Sequence, residues 1–308
     1  MIPETLNLYD NEFIRWRHGD NDYVLHMMYD SYPRNPREDD QIGLMACFHP
    51  RYDLGDQIDE KDADKFWQHL VRANCSYEDI FSYAYAGKLP GIRVVEANGV
   101  EEAGWYDVYE MYYMNTVLGN TEPKECLEYA CISKEAVADY IIDDLTIRHC
   151  MILLEDDIVC LPLWLYDHSG ITMSCGARRY PYSDPWDSSA VGWIIVTKEK
   201  MFKEGFSEEE WQKRADLILR NEVKEYDDYL TGDIYGYQLL TRRWWNDSED
   251  DNWEELDTCF GFHGNDIMKN GIFDQIPGDI GFAESLDKNY YKTGKAVEHT
   301  KTYYTFEE

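Results

Sequence analysis

Positive charge is scarce in this chain of 308 residues, which has 29 Lys and Arg against 61 Asp and Glu and a formal net charge of −32. No stretch of the sequence is strongly basic. A protein that binds nucleic acid directly usually needs a basic face to neutralise phosphates, and an anionic membrane attracts clusters of Lys and Arg. We therefore expect neither as a direct partner. Solubility alone needs a net charge of only roughly 2–8 in a small domain, so the excess predicts a use for the acidic surface.

Long hydrophobic runs are also missing. The longest lies near Ile158–Tyr166 and contains Pro162, whereas a membrane span requires ~20 apolar residues. The N-terminal segment MIPETLNLYDNEFIRW has neither the basic nor the apolar region of a secretion signal. These features predict a soluble, cytoplasmic protein.

None of the eight cysteines belongs to a C-x-x-C pair. A chain of this length can stabilise itself by burial without a disulfide framework, so we expect most of the thiols to be buried as small hydrophobic groups. A zinc site formed by Cys126, Cys131, His149 and Cys150 is an alternative, but their spacing matches no strong zinc pattern. The sequence therefore predicts neither a metal nor another cofactor.

The remaining composition, with 44% hydrophobic and 15% aromatic residues, is sufficient for a folded core. We predict an α+β fold with a helix-rich N-terminal region, 1–150, and a second α+β region, 151–308. In the second region a mainly antiparallel sheet packs against a long helix at about 208–230, which starts at a capping box on Ser207 and carries Glu222 on its apolar side. We expect Glu222 to pair with an arginine or a tyrosine hydroxyl.

Helices of the first region are predicted from amphipathic spacing and capping residues, and strands from β-like runs. The first 60 residues are polar with short aromatic islands and predict short strands and turns. The predicted helices are Asp59–Asn74, a short helix capped by Ser76, Glu122–Cys131 and Lys134–Asp144. The predicted strands include Gly91–Ala97, Met151–Leu154, Ile158–Tyr166, Ile171–Ser174, Val191–Thr197, Ile234–Leu240 and Leu256–Phe262. A Tyr-rich extended end covers Lys288–Phe306.

Four ordered motifs distinguish the second region. They are YDHSGITMS at 166–174, PWDSSAVG at 185–192, EVKEYDDYLTGDIYG at 222–236 and DTCFGF at 257–262. In this order they resemble a family of uncharacterised proteins common in bacteriophages and mobile elements of Gram-positive gut bacteria. The resemblance covers roughly residues 155–265, and it implies a phage or mobile-element context and the cytoplasm of a bacterial host. It implies no catalytic residues, and DSSAVG stands here in place of the family's usual DSGQVG.

Common catalytic motifs are missing from the sequence. It contains no phosphate-binding P-loop, no dinucleotide fingerprint after a strand, no H-E-x-x-H and no G-x-S-x-G elbow. Asp167, His168 and Ser169 are consecutive, and neighbours on an extended chain point to opposite faces, so they cannot form a relay among themselves. His168 could instead pair with Asp187 or Asp233, or it could fix a turn.

Acids interleaved with aromatics are the more informative pattern. The segment 247–257 holds seven acids in eleven residues and no base, and it follows two tryptophans. A solvated hairpin loop would explain it, but carboxylates backed by Trp and Tyr can also present a nucleic-acid-like field to a basic groove. The predicted contact residues are Trp244, Trp245, Asp247, Glu249, Asp250, Asp251, Trp253, Glu254, Glu255 and Asp257.

The sequence thus predicts a non-enzymatic acidic inhibitor that binds the basic DNA- or RNA-binding surface of a host defence nuclease, such as a CRISPR effector or a restriction enzyme. One alternative is an enzyme that modifies a nucleotide, a signal molecule or a host protein with His168 and the carboxylates of Asp167, Asp187 or Asp233. Another is a structural or assembly protein of the element.

Overall fold

A computed structural model describes residues 2–101, 104–114, 123–131, 134–176, 186–244, 253–300 and 303–307. In these ranges the fold is mixed α+β, and every paired strand is antiparallel. The strands are β1 (Glu12–His18), β2 (Asn21–Tyr29), β3 (Leu44–Cys47), β4 (Ile92–Glu101), β5 (Gly104–Met114), β6 (Pro123–Cys131), β7 (Ile158–Asp167), β8 (Ile171–Cys175), β9 (Ser188–Thr197), β10 (Ile234–Arg243), β11 (Glu254–His263), β12 (Tyr291–Thr300) and β13 (Tyr303–Glu307). The helices are α1 (Ala63–Asn74), α2 (Tyr77–Tyr85), α3 (Lys134–Asp143), α4 (Ile147–Leu153), α5 (Lys198–Lys203), α6 (Trp211–Thr231), α7 (Ile272–Gln275) and α8 (Phe282–Lys288).

The largest sheet has six strands in the order β11-β10-β2-β1-β12-β13. Alternation along β1 sends Ile14 and Trp16 to one face, where they pack with Leu25, Ile272 and Phe282 from β2, α7 and α8. Phe13, Arg15 and Arg17 alternate with them and therefore point to the opposite face.

A second sheet has four strands in the order β3-β9-β7-β8 and is covered on both faces. Neighbouring residues of β9 show this directly, because Ile194 belongs to the core that contains Leu219 of α6, whereas Ile195 belongs to the core that contains Trp67 of α1. The helices α1 to α4 fill that second core, and β4 of the three-stranded sheet β4-β5-β6 contributes Ile92 to it.

The long helix confirms its prediction, since α6 spans Trp211–Thr231 and ends at Gly232 in the left-handed conformation, with φ 76°. The expected capping box is wrong. Glu210 is the N-cap and makes no side-chain cap, while the carbonyl oxygen of Ser207 accepts the amides of Glu210 and Trp211. Glu222 is buried on this helix and pairs with Arg37, as predicted for its position on the apolar side.

The prediction of a helix-rich N-terminal half is wrong, because six of the strands lie before residue 150. Predicted helix Glu122–Cys131 contains strand β6, and predicted strand Met151–Leu154 instead overlaps the end of α4. Both segments are short, and the periodicity of a short segment does not separate a helix from a strand, so its partners decide the conformation. The predictions of α1, of the Ser76 cap, of α3 and of the antiparallel C-terminal strands are confirmed.

The two larger sheets combine strands from both sides of residue 150. In one, β2 pairs with β10 and β1 pairs with β12, and in the other β3 pairs with β9. A division of the chain into 1–150 and 151–308 would therefore cut through two hydrogen-bonded sheets. Among the described helices, none is both long and apolar enough to cross a bilayer.

Candidate functional site

Half of the predicted contact residues lie in the part of the chain that the structure describes. Trp244 directly follows β10, Trp253 directly precedes β11, and Glu254, Glu255 and Asp257 lie on β11. The other half lie outside the described residues, and they are Trp245, Asp247, Glu249, Asp250 and Asp251.

Strand β11 forms one edge of the six-stranded sheet, and among the described strands it pairs only with β10. It is exposed on both faces from Glu254 to Gly261, and 47% of the surface of both Leu256 and Phe260 is accessible. An edge strand presents backbone N–H and C=O groups that another extended chain can pair with. The strand therefore offers acidic side chains, two apolar side chains and backbone hydrogen-bonding groups together.

A β-bulge in the pairing of β10 with β11 separates the acids of this edge. Leu239 lies opposite Asp257 and Leu240 opposite Glu255, so Glu255 and Asp257 point to different faces of the sheet. Gln238 Nε2 donates to Glu255 Oε2, and Tyr237 Oη donates to Asp257 Oδ2, each at 2.5 Å. Burial and the contact with Asp257 raise the pKa of the Tyr237 hydroxyl. The two carboxylates are thus oriented by side chains of β10, on opposite faces rather than in one row.

The two described tryptophans contact arginines of this same chain. The guanidinium carbon of Arg17 lies 4.9 Å from the ring centroid of Trp244, and that of Arg242 lies 4.5 Å from the ring centroid of Trp253. Arg15 approaches Trp253 at 5.7 Å. Such cation–π contacts hold an indole in place. Trp244 nevertheless keeps 45% of its surface accessible, so it can still contact a partner.

His168 pairs with Asp187, as one of the alternatives predicted. Its Nδ1 lies 2.8 Å from Asp187 Oδ2, and the amide of Asp167 donates to the carbonyl oxygen of Asp187. The pair is solvent-accessible, with 64% of the His168 side chain exposed. Ser169 donates its hydroxyl hydrogen to the carbonyl oxygen of His168 and not to the ring, so the three neighbours form no relay.

The other two carboxylates of the enzyme alternative contact different groups. Asp167 Oδ2 accepts from Arg51 Nη2 at 2.7 Å and from Tyr52 Oη at 3.0 Å. Asp233 lies beside Tyr235 and helps to raise the pKa of its hydroxyl, although burial is the larger cause. Only Asp187 of the predicted carboxylates therefore contacts His168.

The alternative zinc site is only partly described. His149 Nε2 lies 2.7 Å from the carbonyl oxygen of Pro90, and its Nδ1 faces the amide and hydroxyl of Thr146 at 3.2 Å, so both ring nitrogens have polar neighbours. Cys150 is buried beside it. The side chains of Cys126 and Cys131 lie outside the described residues. Elsewhere in the described part of the chain, no group of three or more His, Cys, Asp and Glu could hold a metal.

The four motifs of the second region are in contact, the first with the second through His168 and Asp187. Asp227 of the third motif accepts from the Thr172 hydroxyl and the Met173 amide of the first, at 2.7 Å each. Gly236 of the third motif lies opposite Phe260 of the fourth, and a Cβ at Gly236 would meet the Phe260 ring at 2.1 Å. The motif residues thus fix α6 against β8 and β10 against β11, which is an architectural role.

A group of cations on β1 and β12 was missed by the sequence reasoning. Arg15 and Arg17 share one face of β1, Lys292 lies opposite Arg15 on β12, and Asp22 lies opposite Arg17 on β2. The alternation of R-W-R in a chain so poor in basic residues was the available signal.

Comparisons with protein-family models, with curated proteins and with solved structures find no match for this chain.

Proposed function

We propose that this chain is a non-enzymatic anti-defence protein of a phage or mobile element. It binds the basic nucleic-acid-binding surface of a host defence nuclease and competes there with DNA or RNA. The net charge of −32 supports a basic protein partner in the bacterial cytoplasm, and disfavours nucleic acid or a membrane. The phage context rests on the four motifs of residues 166–262.

The open edge strand β11 is the observation that carries this proposal. Its exposed residues include Glu254, Glu255 and Asp257, and no lysine or arginine occurs between residues 247 and 257. Leu256 and Phe260 are exposed beside the acids. The carboxylates would form ion pairs with the cations of a basic groove, and the two apolar side chains would add buried hydrophobic contact area to the interface.

The mechanism is steric and electrostatic competition. Duplex DNA carries one charge per ~1.7 Å of its axis, so a nuclease groove is lined by cations that an acidic protein can occupy. Long-range attraction between opposite net charges raises the association rate, most strongly at low ionic strength. Glu255 and Asp257 point to different faces of the sheet. We therefore expect the two walls of the nuclease groove to contact both faces of the sheet at the β11 edge, and not one face alone.

The test is inhibition of a purified host nuclease, first recovered from host lysate on the tagged chain and eluted by added DNA or RNA. The wild-type chain is expected to block cleavage, with weaker inhibition at high salt. The variant that tests the site replaces four acids at and before β11 by lysine. It keeps Asp257, because this carboxylate accepts the hydrogen bond from the Tyr237 hydroxyl. Its substitutions are Glu249→Lys, Asp250→Lys, Glu254→Lys and Glu255→Lys.

A matched control separates the site from the overall charge. It replaces four exposed acids around α5 and α6, and both variants change the net charge from −32 to −24, by +2 for each of four residues. The site variant is expected to lose inhibition and the control to keep it. If the two variants inhibit equally, β11 is not the contact. If the tagged chain recovers no nuclease from the lysate of a host that it affects, the proposal itself is refuted. The control substitutions are Glu204→Lys, Glu209→Lys, Glu210→Lys and Glu225→Lys.

The contact of His168 with Asp187 favours the enzyme as a second candidate. A carboxylate within hydrogen-bonding distance of Nδ1 holds an imidazole in a fixed orientation, as it does in hydrolases and transferases. His168→Ala decides between the two candidates. The inhibitor proposal expects unchanged folding and unchanged inhibition, whereas loss of function in a folded His168→Ala protein would favour the enzyme.

A further inference from the structure

A cationic groove opens on the six-stranded sheet of this acidic protein. It has a volume of about 440 Å³ and is lined by residues of β1, β2 and β12 and of the turn before β12. Three of its lining residues are cations, Arg15, Arg17 and Lys292, and one is an acid, Asp22. The lining therefore carries a net charge of +2 in a chain whose total is −32. This local reversal of sign points to an anionic ligand.

Asp22 holds the two guanidinium groups in place. Its side chain is only 4% exposed, and it accepts from Arg15 Nη2 and from Arg17 Nε, each at 2.7 Å. Burial alone would raise the pKa of this carboxyl, but the hydrogen bonds from the two arginines outweigh burial and the pKa is lowered. An ionised carboxylate that is shared by two guanidinium groups fixes their orientation before a ligand arrives, which reduces the entropy cost of binding.

Aromatic side chains complete the groove. The guanidinium group of Arg17 also stacks on Trp244, so a carboxylate and an indole hold it from two directions. Tyr290 lines the groove with 73% of its surface exposed. An exposed ring beside oriented guanidinium groups suits a ligand that has both a flat ring and a phosphate, because phosphate matches the planar fork of arginine and a base stacks on tyrosine.

We propose that this groove binds a mononucleotide, with its phosphate between Arg17 and Lys292 and its base against Tyr290. The volume is within the range of small-molecule sites and is larger than a lone phosphate needs. A nucleic-acid polymer would bring many phosphates against a chain whose net charge is −32, whereas a mononucleotide brings only one phosphate. At an ionic strength of about 0.15 M, charges more than ~8 Å away are largely screened, so the local cations dominate the attraction.

Isothermal titration calorimetry on the full chain tests this assignment at an ionic strength of about 0.15 M. The probes are the four ribonucleoside 5′-monophosphates, each titrated separately, together with one unphosphorylated nucleoside and inorganic phosphate. At least one monophosphate is expected to bind saturably, and more tightly than either the nucleoside or the inorganic phosphate. Absence of binding by all four monophosphates would overturn the proposal.

Two variants and a control locate the site. Arg17→Ala with Lys292→Ala is expected to weaken binding about tenfold or more, because charge-assisted hydrogen bonds to the phosphate are lost. Lys213→Ala with Arg214→Ala removes the same charge from the exposed surface of α6 and is expected to leave the affinity within about twofold. Equal weakening in both double variants would overturn the proposal.

Tyr290→Ala separates a nucleotide site from a simple anion site, and it replaces an exposed side chain whose loss does not threaten folding. It is expected to weaken monophosphate binding about fivefold or more, through the lost stacking, and to leave phosphate binding unchanged. If phosphate binds as tightly as every monophosphate and Tyr290→Ala changes neither affinity, the groove is an inorganic anion site and the proposal is wrong.

Discussion

Arg37 and Glu222 are 185 positions apart in the sequence, yet Arg37 Nη1 donates to Glu222 Oε2 at 2.9 Å inside the core. Their side chains are 2% and 6% exposed. Arg37 also donates to both carboxylate oxygens of Asp56, and the amides of Ile42 and Gly43 donate to Glu222. This network ties the segment before β3 to the middle of α6.

Arg37→Met should destabilise the protein by about 3–5 kcal/mol, because it leaves the buried carboxylate of Glu222 and the partly buried carboxylate of Asp56 without their cation. Urea unfolding followed by circular dichroism measures the change. The matched control is Arg34→Ala, since Arg34 is 68% exposed and pairs with the exposed Asp39. The control is expected to change stability by less than ~1 kcal/mol. Equal effects in the two variants would contradict the buried network.

Gly192→Ala should destabilise the protein by about 3 kcal/mol, at the upper end of the usual cost of overpacking. A Cβ at this position would lie 1.9 Å from the backbone oxygen of Ala46, which cannot move without shifting β3 from β9. Gly278→Ala is the control, because no heavy atom lies within 4 Å of the Cβ that it would add. Thermal unfolding of both variants tests the prediction, and a Gly192→Ala protein as stable as the control would refute it.

The sequence predicted those elements whose signal is local. The spacing of Phe66 and Val71 with the cap at Ser76 located α1 and α2, and the apolar face and Gly232 located α6. The prediction from sequence was wrong where the conformation of a segment depends on the strand with which it pairs. Residues 123–131 are a strand because they pair with β5, and no pattern within them selects a strand over a helix.

Long-range pairing explains why the site was only partly predicted. The pairing of His168 with Asp187 was an option because both lie near turns in the same region, and it is present. The groove of Arg15, Arg17 and Lys292 joins segments about 275 residues apart, through the register of β1 and β12. The acids of β11 were recognised from composition, but the bulge that sends Glu255 and Asp257 to opposite faces leaves no mark in the sequence.

His26 should make the protein less stable in mild acid. It is fully buried on β2, and burial lowers its pKa from 6.5 to about 4. The unfolded chain takes up a proton near pH 6.5 and the folded chain does not, so stability is full above pH 6.5 and falls as the pH approaches 4. At about 1.4 kcal/mol for each pH unit, this interval corresponds to a loss of about 3 kcal/mol from His26.

Urea unfolding at pH 7.5 and at pH 4.5 measures this loss in the wild type and in His26→Leu. Carboxylates also contribute to acid destabilisation, but they are common to both proteins, so the smaller loss expected in His26→Leu isolates the histidine. His69→Leu, at a side chain that is 65% exposed, should lose as much stability as the wild type. A loss in His26→Leu as large as in the wild type would contradict the buried, neutral state of His26.

The six described thiols should differ widely in reactivity. Cys259 is exposed on β11, whereas burial raises the pKa of Cys47, Cys150 and Cys160 to about 12 and that of Cys75 to about 11. The thiolate is the reactive form, and burial also blocks access. Among these six thiols, iodoacetamide at pH 8 should therefore modify Cys259 first in the folded protein, and it should reach Cys150 only when urea unfolds the chain.

Peptide mapping by mass spectrometry over a labelling time course measures these rates. Cys259→Ser should remove the fast-reacting site among the six described thiols while leaving stability unchanged, because its side chain is exposed at the sheet edge. The measurement also reports on the candidate contact surface. If a bound nuclease protects Cys259 from iodoacetamide and leaves the labelling of Cys175 unchanged, the partner covers β11. Labelling of Cys150 as fast as that of Cys259 would show that the core around α4 opens in the folded state.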